Sequence, residues 1–183
     1  MPCLPPPGRR SLLLVLAVLL LAGCYADLDW RKLASEAGRF QVLMPARSQS
    51  ASRSIGSGAT MTLWTTSARD ALFGVNYTDY PDAGVGHLPQ ARDALLGIVS
   101  GSLVDERPLD APLRGAPSPA RDSRRIPIDG RAPGAASGAA NPVGVWAHVH
   151  AIDRRLYQLT IVAPPDASSE GGREMFFSAF ELR

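Results

Sequence analysis

Cysteine is close to absent from this chain. Cys3 and Cys24 are the two among 183 residues, too few for a disulfide framework or a thiolate metal centre. Lysine is scarcer still, Lys32 standing alone among many arginines. No sign of charge dominates, since 19 Lys+Arg face 17 Asp+Glu, and without a basic stripe the chain does not read as a nucleic-acid binder. No apolar run is long enough to cross a bilayer. The longest, residues 12–23, is about a dozen residues, where a spanning helix needs about 20. Catalytic strings are missing too. Gly97-Ile98-Val99-Ser100-Gly101 has the wrong spacing for a G-x-S-x-G nucleophile elbow, and neither a Walker A string nor a dinucleotide G-x-G-x-x-G is present.

What is there begins at the amino terminus. Arg9 and Arg10 precede the short apolar run, which ends in small residues, and this is the pattern of a secretory leader. The paired arginines also fit twin-arginine export, but the high leucine content favours the general secretory route. The run ends in Leu21-Ala22-Gly23-Cys24, which resembles the lipobox of bacterial lipoproteins at all four positions. That resemblance implies cleavage between Gly23 and Cys24, a diacylglyceryl group on the Cys24 thiol, and acylation (commonly by palmitate) of the new amine. Two or more acyl chains anchor a protein stably, where one does so only marginally. Tyr25 follows the cysteine, in place of the aspartate that favours inner-membrane retention in such lipoproteins, so the resemblance points to the outer membrane facing the periplasm. Removal of the leader would take Cys3, Arg9 and Arg10 with it, leaving 17 basic residues against the 17 acidic ones. The mature chain would be neutral, with a single capped thiol. The expected organisation is a signal peptide at 1–23, an anchor and short linker at 24–29, and one domain at 30–183.

Within that domain, Phe40, Val42 and Met44 alternate onto one face of a strand that Pro45 stops. Residues 46–58, rich in Ser, Ala and Gly, read as a loop. Residues 59–66 and 71–80 read as a hairpin turning through Ser67-Ala68-Arg69-Asp70, with Met61 and Leu63 inward on the first strand and Phe73, Val75 and Tyr77 sharing a face on the second. The period then changes. Leu88, Ala91, Leu95, Ile98, Val99 and Leu103 fall on one face of an amphipathic helix of about four turns. Residues 105–122 read as connection and Arg124 to Ile128 as a short strand, placed at an edge by Pro127. A Gly/Ala/Pro/Ser-rich insert at 130–142 is too poor in apolar side chains to order itself. Val143 to Ile152 and Leu156 to Ala163 form a second hairpin across Asp153-Arg154, in which Val145, Ala147 and Val149 alternate with Trp146, His148 and His150. A last helix begins at Ser168 or Ser169 and carries Met175, Phe176 and Phe177, and Phe180-Glu181-Leu182 adds a closing segment.

The sum is an α+β fold, with an antiparallel sheet of about six strands packed with two helices. With "GRFQVLMP", "RRLYQLTIVAPPD" and "MFFSAFEL", residues 30–183 resemble the PsbP-like fold, an α/β/α sandwich found in a photosystem subunit and in envelope lipoproteins of the DcrB type. The resemblance implies a non-enzymatic assembly or accessory role with a protein partner in the cell envelope and no cofactor. A second reading is a small-molecule or metal-binding accessory lipoprotein with its cleft near the helix at 88–103.

His148 and His150 are the one pair with metal-ligand spacing, since residues two apart on a strand share a face. With no third and fourth ligand in sight, the plainer reading is two polar side chains beside Trp146 on a partly covered sheet face. Tyr77, Asp79, Tyr80 and Asp82 match no loop ligand set and read as a strand end and turn. Arg154-Arg155 reads as a solvated hairpin tip, and Trp30, Trp64 and Trp146 as packing residues.

Overall fold

The structure, a computed structural model, describes residues 28–56, 58–110, 112–116, 122–132, 142–167 and 169–183. Leu21, Ala22, Gly23 and Cys24 lie outside the described residues, as does most of the insert at 130–142. No helix among the described residues is long and apolar enough to cross a membrane.

Among the described residues, eleven strands form two open antiparallel sheets. The strands are β1 (Arg31–Ser35), β2 (Phe40–Met44), β3 (Gln49–Ser54), β4 (Thr60–Ala68), β5 (Ala71–Asp79), β6 (Ser102–Leu103), β7 (Arg107–Pro108), β8 (Asp122–Arg131), β9 (Pro142–Ile152), β10 (Arg155–Ala163) and β11 (Glu181–Leu182). The large sheet runs β3-β4-β5-β10-β9-β8-β6, with β7 also on β8, and the small one runs β1-β2-β11. Two meanders are thus joined where β10 returns beside β5. The expectation of about six strands missed the short or polar ones. Residues 49–54, expected as loop, are an edge strand with all six residues exposed. Its order comes from the register with β4, where Ser52 and Thr62 hydroxyls lie 2.9 Å apart, so cross-strand pairing overrides weak local propensity.

Both strong hairpins turn in two residues. Arg69 and Asp153, each first in its turn, adopt φ of 53°; the first turn is therefore Arg69-Asp70, shorter than the sequence suggested. Strand β4 also faces the other way from the expectation. Trp64 lies opposite Val75, and Met61 and Leu63 opposite Thr78 and Asn76, so Trp64 reaches the aromatic core while Met61 and Leu63 share the other face. A large ring gains more from burial than a thioether or leucine, and that fixes the register.

The large sheet separates two cores. One face carries Ile126, Ile128, Val145, Ala147 and Val149, covered by Ala91, Leu95 and Val99 at the helix α1 (Leu88–Ile98) and its end. This helix is shorter than the periodicity implied. Ser100 turns to φ 44°, Leu103 enters β6, and Ile98 is half exposed instead of inward. The opposite face carries Phe73, Val75, Tyr157, Leu159 and Ile161, covered by Phe40 and Met44 of the small sheet and by Phe176 and Phe180. Phe176 belongs to α2 (Glu170–Ser178), which starts where Ser169 Oγ accepts from Gly172 N at 3.2 Å, an N-cap at one of the two serines where the sequence started this helix.

Arg155 is no solvated tip. Its guanidinium donates to both Asp79 oxygens at 2.5 and 2.8 Å and to Ala37 O at 2.9 Å, and lies 4.5 Å over the Tyr77 ring. It ties the β9–β10 hairpin to the β1–β2 connection.

Candidate functional site

The period of two along β9 decides what faces what. Val145, Ala147 and Val149 go to α1, and Trp146, His148 and His150 to the side of α2. On that second side the sheet and α2 diverge, and a cavity of about 560 Å³ opens between them. Sites for small organic ligands fall in this size range. The sequence placed the cleft by the α1 helix; that face is filled by Ala91, Leu95 and Val99, and the cavity lies on the opposite side of the sheet.

Trp146, His148 and His150 form the floor. The indole lies across Gly144, where an added Cβ would come within 2.6 Å of the ring, and Arg173 of α2 caps it at 4.6 Å. His148 stacks on Phe177 at 3.9 Å and 20°, and His150 stacks on Phe180 at 5.6 Å and 10°. Nδ1 of His150 and Oγ of Ser123 lie within hydrogen-bond distance at 2.9 Å. Thus α2 and the residues after it are held over the histidines by ring-on-ring contact.

The third wall is the segment after β7. Leu109 N donates to Ser123 O at 2.9 Å, and Leu182 N donates to Arg114 O at 2.9 Å. Gly115 has φ 74°, and a Cβ there would meet Leu182 O at 2.0 Å, so only glycine lets this segment dock on β11. Leu109, Pro112 and Leu113 supply apolar surface here. Arg114, Arg125, Glu170 and Glu174 supply the charged rim.

Burial, then the neighbouring His150, then Arg125, hold the His148 imidazole down at about 3. Burial alone pushes His150 down to about 4. Both rings are therefore neutral at physiological pH, each with one N–H and one bare nitrogen. Their centroids lie 6.3 Å apart, and among the described residues no group of three His, Cys, Asp or Glu could hold a metal ion.

Tyr77, Asp79, Tyr80 and Asp82 do not converge. Tyr77 is buried under Arg155, Asp79 pairs with Arg155, Tyr80 stacks on His87 at 3.6 Å, and Asp82 meets His87 Nε2 at 2.6 Å. Trp30 and Trp64 are partly buried against the core, each edge-to-face with a phenylalanine, whereas Trp146 is a cavity residue. The sequence missed Arg125, Arg173, Phe177 and Phe180 as site residues. A strand drawn over 122–131 would have placed Arg125 opposite His148, its partner in the ladder.

No protein-family model matches the chain, and no curated protein matches it. Among solved structures, one from Bacteroides thetaiotaomicron VPI-5482 is similar at 13% identity and a TM-score of 0.43, covering 84% of this chain and 48% of that one. The chain thus spans about half the length of that structure, and likeness at this level says nothing of what the chain does.

Proposed function

We propose that this chain is a lipid-anchored envelope protein of the PsbP-like kind, tethered through Cys24, that binds a small organic molecule as a non-enzymatic accessory factor. The observation that carries the binding role is the cavity of about 560 Å³ floored by Trp146, His148 and His150. A general base works best with a pKa near the operating pH. At about 3 and 4, these imidazoles suit hydrogen bonding to a ligand better than proton abstraction. The anchor rests on the Leu21-Ala22-Gly23-Cys24 string. Mass spectrometry of the mature protein is expected to find a chain starting at acylated Cys24; a chain retaining Met1 without acyl groups would remove the anchor.

Binding to the native state alone raises apparent stability. A neutral apolar probe, 6-phenylhexanol, is expected to raise the melting temperature of the detergent-solubilised protein. Ser178→Trp, which fills the cavity from its exposed rim, should abolish the rise while leaving the unliganded melt in place. An equal rise in both proteins would mean the probe binds elsewhere. A protein partner is the second reading, favoured by the wholly exposed edge strand β3, which could pair with a strand of another chain.

A further inference from the structure

Several arginines elsewhere on this molecule close on carboxylates. Arg31 pairs with Asp29, Arg92 with Asp93, Arg107 with Asp105, Arg124 with Asp122 and Arg155 with Asp79. Two arginines at the cavity differ from these five. Arg125 and Arg114 both line it and both are exposed, and neither meets a carboxylate among the described residues. They come from separate elements, Arg125 from β8 and Arg114 from the segment docked on β11, and reach the same opening. Arg125 stands beside His148 in the β8–β9 ladder, close enough that its charge bears on the imidazole. The contrast with Arg124, its neighbour in sequence, is local. Arg124 points to the other face and holds Asp122 at 2.7 Å, whereas Arg125 lines the cavity and donates to no carboxylate among the described residues.

Two acids also line the opening. Glu170 sits in the first turn of α2, where a negative charge answers the helix dipole. Glu174 follows one turn on, flanking Arg173, which lies over Trp146. Both acids are on the helix wall. Among the described residues, the sheet and loop walls carry only Arg114 and Arg125 as charged groups, and these flank the apolar surface of Leu109, Leu113 and Phe177. The histidines add no charge. A ligand matching this arrangement has an apolar body for the rings and leucines and an anionic end for the two guanidiniums, whose fork of donors fits a carboxylate.

We propose that the cavity takes a small organic carboxylate with an apolar aryl or acyl body, its carboxylate held by Arg125 and Arg114. This rests on the reading of the cavity as a ligand site, and the test separates the two. Three probes of one shape and different charge are titrated calorimetrically into the solubilised protein: 6-phenylhexanoate, 6-phenylhexanol and 6-phenylhexylamine. The acid should bind about tenfold or more tightly than the alcohol, and the amine no more tightly than the alcohol. Arg125→Gln and Arg114→Gln, both surface changes, should each bring the acid toward the affinity of the alcohol and leave the alcohol unchanged. The advantage of the acid should also shrink as salt is raised, as for any exposed ion pair. Equal affinity for all three probes, or preference for the amine, would overturn the carboxylate and leave the cavity standing. Loss of acid and alcohol binding alike in both arginine variants would also overturn it, since that pattern means the arginines only shape the wall. Failure of all three probes to bind would remove the ligand site along with the carboxylate.

Discussion

Phe40→Ala is expected to lower the unfolding free energy by about 3–5 kcal/mol, the cost of an aromatic truncation in a core that cannot collapse. Phe40 is fully buried, and it is where the small sheet meets the large one. Its ring lies 5.4 Å from Trp64 at 80°, 6.2 Å from Tyr157 at 80° and 5.6 Å from Phe180. Edge-to-face aromatic pairs contribute about 0.5–1.5 kcal/mol beyond the area they bury. The same truncation would loosen Phe180, which stacks on His150, so ligand binding should weaken alongside stability. Urea denaturation checks the first effect. A loss below about 1 kcal/mol would mean that the small sheet docks through other contacts.

Acidification should destabilise the fold steeply below pH 6.5. His148 and His150 have folded pKa values of about 3 and 4 against an ordinary 6.5. Below 6.5 the unfolded chain takes up protons that the folded chain does not, so the neutral rings favour folding fully above that pH and less with each step down toward about 4 and 3. Each such group is worth roughly 1.4 kcal/mol per pH step. For the pair, the loss by pH 4 is on the order of 3–5 kcal/mol once relaxation of the site is allowed for. Comparing urea midpoints at pH 7 and pH 4 measures it. His148→Gln/His150→Gln should be less stable at pH 7 but lose much less on acidification. An equal acid loss in the double variant would assign the effect to carboxylates elsewhere.

Much of the scaffold was legible in the residues themselves. Strong alternation in 59–80 and 143–163 marked both hairpins, because burial on one face imposes a period of two. The serines at 168 and 169 and the apolar Met175, Phe176 and Phe177 after them marked the last helix. Polar Gln49–Ser54 was illegible, since its structure depends on a partner strand. Leu103 was misread because a helical spacing ran past Ser100, where the backbone turns to a positive φ. The site was half legible. His148 and His150 did share a face, yet what covers that face comes from β8, from Arg114 and from α2, which are remote in sequence and meet only through the fold. Arg125 went unnoticed because a strand ended at Ile128 and containing Pro127 looked like a bare edge, although the ladder continues to Arg131.

The chain has three histidines, His87, His148 and His150, and only the last two line the cavity. Imidazole NMR signals followed during addition of 6-phenylhexanoate therefore test most directly that a ligand settles over the β9 face. Shifts in the His148 and His150 signals, with those of His87 unmoved, are the result this account requires. Saturable binding that leaves both cavity histidines unmoved, or that moves His87 alone, would contradict it.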